Sequence, residues 1–218
     1  MTETSVVIVG GKGTALNIAE QIEDARNRFR VPIRVLGFAI DDPALGKSLA
    51  GLPVLCGVRE AWTSFQDSGV KFIFALYRPD VVQERYAMIA TLGIPADRFA
   101  SFIHPSAYVS PSANVGPGVV VLSHSSVLHR VSIGAFSIVN TNVVIEHESD
   151  VGPGVFVAAS ACIGARTRIG TAAFIGLNAT IREDVSLGEG AFVGMAATVI
   201  HDVAPGQTVY GSPAKARR

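Results

Sequence analysis

From Ile103 onward every sixth residue is aliphatic. The series runs Ile103, Val109, Val115, Val121, Val127, Ile133, Val139, Ile145 and Val151, then Val157, Ile163, Ile169, Ile175, Ile181, Leu187, Val193 and Val199. Seventeen consecutive matches exclude chance. Two positions earlier stands a slim residue at many steps, among them Ala107, Ala113, Ser125, Ser137, Ala161, Ala173, Ala179, Ala191 and Ala197. Glycine often follows the aliphatic position, as at Gly116, Gly134, Gly152, Gly164, Gly170, Gly176, Gly188 and Gly194. A period of six fits neither a 3.6-residue helix nor a hairpin meander, and a β-sandwich would space its turns irregularly. It suits a parallel β-helix in which three hexads close one triangular coil of 18 residues. Branched side chains then stack inside, slim residues fill the corners, and coils repeat about every 4.8 Å. Each buried aliphatic contributes about 1.5–3 kcal/mol gross, an upper bound because denatured chains already bury some surface.

The same arithmetic places side chains. Residues 18 apart share a column, so His129, His147, Ala165, Glu183 and His201 rise along one edge, and Thr141, Ala159, Leu177 and Met195 along another. His147 is expected about 5 Å above His129 and about 14 Å below His201, too far from the latter for shared chemistry within one chain. Between His104 and Gly164 the charged side chains are Arg130, Glu146, Glu148 and Asp150 alone. Coils so neutral leave a large apolar area on a monomer, and a triangular prism closes most simply as a cyclic homotrimer.

Composition changes near residue 100, since all five histidines (His104, His124, His129, His147, His201) fall beyond it. Two domains are expected, 1–100 and 101–218, the second ending in a tail. In the first, the strands Ser5–Val9, Ile33–Ile40 and Val70–Leu76 alternate with helices over Thr14–Asn27 and Val81–Leu92, a pattern that implies a small parallel sheet. Gly10-Gly11-Lys12-Gly13 forms the turn between first strand and first helix, where backbone N–H groups converge into an anion site. A ligand there would lie at the carboxyl ends of the strands, where Asp41 and Asp42 also emerge. The turn is neither a full dinucleotide fingerprint, because Leu16 stands where glycine is needed, nor a Walker A loop, because Lys12 precedes Gly13.

Among 218 residues, 49% are hydrophobic, 17% are charged and the formal net charge is zero. That balance excludes a nucleic-acid-binding surface. Mean hydropathy is +0.39, yet the longest uncharged apolar stretch, about Val155–Ala165, is shorter than the roughly 20 residues of a spanning helix. No membrane association is expected. Met1-Thr2-Glu3-Thr4 carries no positive charge ahead of the apolar run, which argues against a signal peptide. Cys56 and Cys162 lie far apart and suggest no disulfide framework, and the protein reads as cytoplasmic. Cys162, beside the inward Ile163, is expected to fill a core corner, and His104 to cap the first coil.

Within the neutral coils, Ile145-Glu146-His147-Glu148 concentrates the charge. A histidine accepts a proton near neutral pH, and an adjacent carboxylate fixes its tautomer and stabilises the imidazolium that forms. Such a base contributes on the order of 10²–10⁴ in rate. Read alone, the cluster also fits a polar turn capped by a solvated histidine.

Further segments carry a resemblance: Val7–Gly13, Gly37-Phe38-Ala39-Ile40-Asp41-Asp42-Pro43, Ile103-His104-Pro105-Ser106-Ala107, Val139-Asn140-Thr141, and the ending Tyr210-Gly211-Ser212-Pro213-Ala214-Lys215. Together with the histidine turn they resemble, over essentially the whole chain, the sialic-acid O-acetyltransferase and nucleotide-linked amino-sugar N-acetyltransferase family. The resemblance implies a small Rossmann-like parallel-sheet domain followed by a left-handed parallel β-helix of hexapeptide repeats. It also implies acetyl transfer to a sugar amine in bacterial surface-polysaccharide or glycan biosynthesis. His147 matches the family's catalytic base, Glu148 the residue that raises its basicity, and Asn140 the residue that orients the acceptor. Gly11, Lys12, Gly13, Thr14, Asp41, Asp42 and Leu76 match the nucleotide-sugar site. Acetyl-CoA would run between neighbouring subunits near Phe156, Ala165, Gly194 and Met195, with Lys215 within reach of a CoA phosphate, and no metal is expected.

Three residues depart from the family pattern. Thr14 replaces a histidine that contacts the nucleotide sugar, Leu76-Tyr77 replaces Gly-Asn, and Phe156 replaces a second histidine near the thioester. The first two bear on which sugar and nucleotide bind, and the third on the shape of the acyl pocket. Three other readings stand beside this one. The first is a γ-carbonic-anhydrase-like zinc enzyme using His124, His129 and His147. The others are a sialic-acid-type O-acetyltransferase and a non-enzymatic scaffold that binds a nucleotide sugar.

Overall fold

The computed structural model describes residues 3–217; Arg218 lies outside the described residues, as do Met1 and Thr2, the first two residues of the start that reads as lacking positive charge. The chain forms two compact units, Met1–Arg78 with Ala87–Ser101, and Pro79–Tyr86 with Phe102–Arg218.

The first unit is a five-stranded sheet in the order β3-β4-β2-β1-β5. The strands are β1 (Thr4–Val9), β2 (Ile33–Ala39), β3 (Ser48–Leu49), β4 (Leu52–Cys56) and β5 (Lys71–Phe74). β4, β2, β1 and β5 run parallel, and β3 closes the edge antiparallel to β4. Helix α1 (Thr14–Phe29) buries Ala15, Ile18, Ala19, Ile22 and Ala25, a stripe at helical spacing. It stops at Arg30, whose left-handed backbone lets its N–H reach the Ala25 carbonyl. The strand order reverses beside β1, with β2 on one side and β5 on the other, so the crevice beyond Val9 and Phe74 is the topological switch point.

Sequence periodicity misses β3, β4 and the short helix α2 (Ala61–Phe65), because strands of two and five residues with Pro53 among them carry no readable alternation. β5 is shorter than the expected Val70–Leu76, since the chain leaves the sheet once Ala75 N–H has met the Val9 carbonyl. The expected helix Val81–Leu92 divides into α3 (Val82–Met88) and a 3₁₀ turn, Ile89–Leu92, that ends at Gly93 with φ 66°.

The second unit is the left-handed parallel β-helix. Two-residue strands stack in register at 18-residue steps into three faces. The first face begins at Phe102–Ile103 and climbs through Ile138–Val139, Phe156–Val157 and Phe192–Val193 to Thr208–Tyr210. The second runs from Tyr108–Val109 through Val144–Ile145 and Cys162–Ile163 to Thr198–Val199. The third runs from Asn114–Val115 through Asp150–Val151 to Ser186–Leu187.

From Val121 to Val199 every sixth side chain is at most 3% exposed. The first coil differs: Ile103 is 39% exposed, and Val109 and Val115 are half-buried, because a terminal coil has no coil beneath it. The slim column has its own chemistry. Ser125, Ser137 and Ser149 each donate to a turn carbonyl (Asn140, Gly152, Gly164) and accept an N–H from the next coil, so buried hydroxyls bind coil to coil.

Turn geometry is equally regular. Every sixth residue from Gly118 to Ala196 has positive φ, whether it is glycine or, as at Arg130, Glu148, Arg166 and Asp184, a residue with a side chain. The glycines after the aliphatic positions serve a different purpose: a Cβ at Gly164 would overlap the backbone of Arg182 and Glu183 in the following coil.

One expectation fails in this unit. Cys162 is exposed, because the residue before each inward aliphatic points outward from the face. Within the C-terminal tail, Lys215–Ala216 returns antiparallel to Thr208–Tyr210 with Lys215 opposite Tyr210. His104 is 3% exposed at the start of the first coil, its Nδ1 against the Ser106 hydroxyl at 2.8 Å.

Candidate functional site

Three faces make three edges, and the chemistry-bearing residues divide among them. His147 lies in the turn from the second face to the third, between Val144–Ile145 and Asp150–Val151. Its column partners follow the expected spacing: Glu148 N–H donates to the His129 carbonyl at 2.8 Å, and Arg166 N–H to the His147 carbonyl at 3.0 Å. The imidazole is 43% exposed, with Nδ1 3.1 Å from Oε2 of Glu148. A carboxylate only accepts, so Nδ1 carries the hydrogen and Nε2 presents its lone pair outward. The φ of 60° at Glu148 belongs to the fold and not to the site, because each turn of the column repeats it.

Glu148 lies in a charge ladder that the sequence did not reveal. Its other oxygen, Oε1, is 3.8 Å from Nη1 of Arg130 in the preceding coil. In the following coil Arg166 grips Asp184 through two hydrogen bonds of 2.7 and 2.8 Å. That grip holds the Asp184 carboxyl below the usual carboxylate range.

The remaining expected residues fall elsewhere on the β-helix. Asn140 follows Val139 on the edge between first and second faces, is 8% exposed, and donates its amide to the Val157 carbonyl at 2.9 Å. Expected to orient a substrate, it serves at least equally as a rung between coils. Met195 stands on that same edge at 73% exposure, above Leu177 at 53%. Gly194 donates its N–H to the Val209 carbonyl at 2.9 Å and so cannot also serve a thioester. The N–H groups of Met195 and of Ala165 on the His147 edge meet no protein acceptor among the described residues.

Phe156 points outward from the first face, across the prism from His147, and stacks on Phe174 with centroids 5.4 Å apart. The stack continues through Phe192 to Tyr210. Pro79–Tyr86 lies on this face, Tyr86 over Gly154 and Gln83 over Gly190. A cavity of about 380 Å³ opens there beside Asp80, Glu84, Phe174, Phe192 and Tyr210. It is remote from the His147 edge, so this chain alone does not assemble Phe156, Met195 and His147 into one pocket.

In the first unit the glycine turn closes against the exit of β5. Gly10 takes φ 134° with the Ala75 carbonyl against its α-carbon, where a side chain would have 3.0 Å of room. Gly11 packs on Ile40 and Leu45. Gly13 precedes α1 without a side-chain cap, leaving Thr14 half-buried in the first turn, and Leu76 is half-buried just past β5. Lys12 Nζ reaches Asp42 Oδ2 at 2.9 Å. That bond, with the Ala44 N–H on Oδ1, holds the Asp42 carboxyl below its ordinary range. Asp41 Oδ1 accepts the Val58 N–H at 2.7 Å. Both aspartates therefore already brace their own loops.

His124, His129 and His147 do not gather within the chain. His124 lies on the first edge, and His129 on the second holds the Ser112 hydroxyl through Nδ1 at 2.9 Å. Among the described residues no three side chains of His, Cys, Asp or Glu come close enough together to hold a metal.

A hexapeptide β-helix with an exposed histidine–glutamate turn, in a chain that also holds a parallel-sheet unit, is the architecture of hexapeptide-repeat acyltransferases. No family model matches the sequence, and no curated protein does. Solved structures match it closely. A variant of perosamine N-acetyltransferase from Caulobacter crescentus, in complex with CoA and GDP-perosamine, is 25% identical; the match covers 98% of this chain and 97% of that one, with a TM-score of 0.85. The acetyltransferase domain of PglB from Neisseria gonorrhoeae is 26% identical over 99% and 100% of the two chains, also at 0.85. WeeI from Acinetobacter baumannii shares the fold at 22% identity and a TM-score of 0.81. The chain is an acyltransferase enzyme that shares its fold with these acetyltransferases over nearly its whole length.

Proposed function

We propose that the protein transfers the acetyl group of acetyl-CoA to the amine of a nucleotide-linked amino sugar, with His147 as general base. The observation that carries this reading is the His147–Glu148 pair, exposed on the edge of a β-helix that matches nucleotide-sugar N-acetyltransferases over nearly its whole length. Nε2 of His147 takes a proton as the amine nitrogen attacks the thioester carbonyl. The carbon–sulfur bond then breaks, and the proton passes to the departing thiolate of CoA. Glu148 holds the imidazole in its working tautomer. The free N–H groups of Ala165 and Met195 serve the developing oxyanion, where one such donor is worth about 10²–10³ in rate. Asn140 orients the acceptor through the part of its carboxamide that Val157 does not engage. Gly11–Gly13, Thr14, Asp41, Asp42 and Leu76 receive the nucleotide part, and Lys215 a phosphate of CoA.

The reading includes a homotrimer. Outward residues of the second face, Tyr108, Ser126, Val144, Cys162, Thr180 and Thr198, carry no charge, and Tyr108 is 56% exposed. Three-fold packing through this face apposes one chain's His147 edge to its neighbour's Met195 edge, which joins the two half-sites. It also places the reaction in the cytoplasm, since both substrates are charged nucleotides that do not cross a membrane unaided. No helix among the described residues is long and apolar enough to cross one. The decisive experiment incubates the protein with acetyl-CoA and a panel of nucleotide-linked 4-amino sugars and reads the product by mass spectrometry. His147→Ala is expected to lose about 10²–10⁴ in kcat. Retention of more than about a tenth of wild-type turnover would remove His147 from the mechanism.

A further inference from the structure

We propose that Arg130 is a positioning residue for the His147–Glu148 pair, holding one carboxylate oxygen so that the other stays on Nδ1 and the lone pair stays at Nε2. This rests on His147 being the base.

The two oxygens of Glu148 are divided between two partners. Oε2 is 3.1 Å from His147 Nδ1, and Oε1 is 3.8 Å from Arg130 Nη1. All three side chains are exposed to solvent, at 43% for His147, 44% for Glu148 and 68% for Arg130. An exposed glutamate is free to rotate about three side-chain bonds, so nothing in local sequence keeps it on the ring. A second, oppositely charged anchor restricts that freedom.

Arg130 is built to supply it. It occupies the left-handed corner 18 residues before Glu148, in the coil directly beneath. The equivalent cation above, Arg166, spends its hydrogen bonds on Asp184 and acts on the Glu148 carboxylate only through its charge. Other charged or titratable groups around the pair are Glu146 on its own turn, His129 below and Glu183 two coils above. His129 holds the Ser112 hydroxyl. Arg130 is therefore the cation placed to fix Glu148, and it acts through Glu148 without touching substrate.

The test compares Arg130→Gln and Arg130→Lys with wild type, all checked by circular dichroism for an unchanged fold. Long-range ¹H–¹⁵N spectra of the His147 ring, recorded without substrate at a pH well above the ordinary histidine range, report the tautomer directly. In Arg130→Gln the ¹⁵N shifts of Nδ1 and Nε2 should converge as tautomers mix. In the same variant kcat should fall about threefold to tenfold, as expected for loosened alignment, while KM for both substrates moves less than about twofold. Arg130→Lys should recover most of both effects, and 1 M salt should bring wild type toward the glutamine variant. Wild-type ring spectra and wild-type kcat in Arg130→Gln overturn the proposal, as does failure of Arg130→Lys to recover either signal. These outcomes are separable from failure of the acetyl-transfer reading. A His147→Ala protein that keeps its turnover sinks that reading, whereas the ring spectra still decide whether Arg130 sets the tautomer.

Discussion

His147 and Met195 of one chain stand on different edges of the β-helix, with the whole second face between them. An acyl group cannot meet both within a single subunit, so the proposed site is complete only with a neighbour.

Breaking the second face should therefore abolish chemistry without unfolding the coil. Thr180→Arg places a charge outward on that face, where three-fold packing would bring like charges together. Analytical ultracentrifugation should show wild type at three times the chain mass and the variant as a monomer. Turnover should fall in the variant at least about a hundredfold, the scale of losing correct alignment. A variant that stays trimeric and active would remove the second face as the interface.

Glu148→Gln keeps the size of the side chain and removes the charge that fixes the imidazole. Its amide can donate as well as accept, so Nδ1 loses its reason to carry the hydrogen. The expected loss is about 10–10² in kcat, smaller than for a fully buried triad aspartate because this pair is solvated. KM for acetyl-CoA should stay near wild type. Unchanged kcat would show that the 3.1 Å contact is structural only.

Adjacent residues on one strand should differ sharply in thermal unfolding. Ile163 is fully buried, and Ile163→Ala should cost about 2–5 kcal/mol. Cys162 faces outward, and Cys162→Ala should lie within about 0.5 kcal/mol of wild type in a monomeric background such as Thr180→Arg. Equal losses at the two sites would mean that the strand is rotated.

The Arg166–Asp184 pair sets a pH dependence. Arg166 lowers the Asp184 carboxyl in the folded state, so the pair's stabilisation is fully present above the unfolded-state value, near pH 4, and is lost as pH falls through the lower folded value. Asp184→Asn should accordingly melt below wild type at neutral pH. The gap should close in strong acid and shrink in 1 M salt. A gap that persists in acid would assign the effect to packing.

Much of this was legible in residues 103–199, because a six-residue period is local and every repeat restates it. The inward column, the edge shared by His129, His147 and Ala165, and the glycines after each aliphatic follow from counting. Distant contacts supplied what local pattern does not carry. Asn140 fits the orienting position by pattern, yet its amide meets Val157 one coil away. Asp41 and Asp42 emerge at the strand ends as expected, but Val58 and Lys12 already engage them. Gly194 matches the acetyl-CoA groove by pattern, and its N–H is engaged by the Val209 carbonyl. Cys162 was misread because closeness to Ile163 along the chain says nothing about which side of a strand a residue faces.

Sequence alone determined that the chain folds into a repeating coil with a histidine–glutamate turn on its edge, since periodic burial leaves no other arrangement for so many spaced aliphatics. Tertiary structure alone decided that the Arg130 guanidinium turns toward Glu148 while Arg166 turns to Asp184, and that Pro79–Tyr86 covers the aromatic face. The reason is physical. Burial pattern is written residue by residue, whereas the pairing of charges and the meeting of edges depend on stacking between segments that no local spacing encodes.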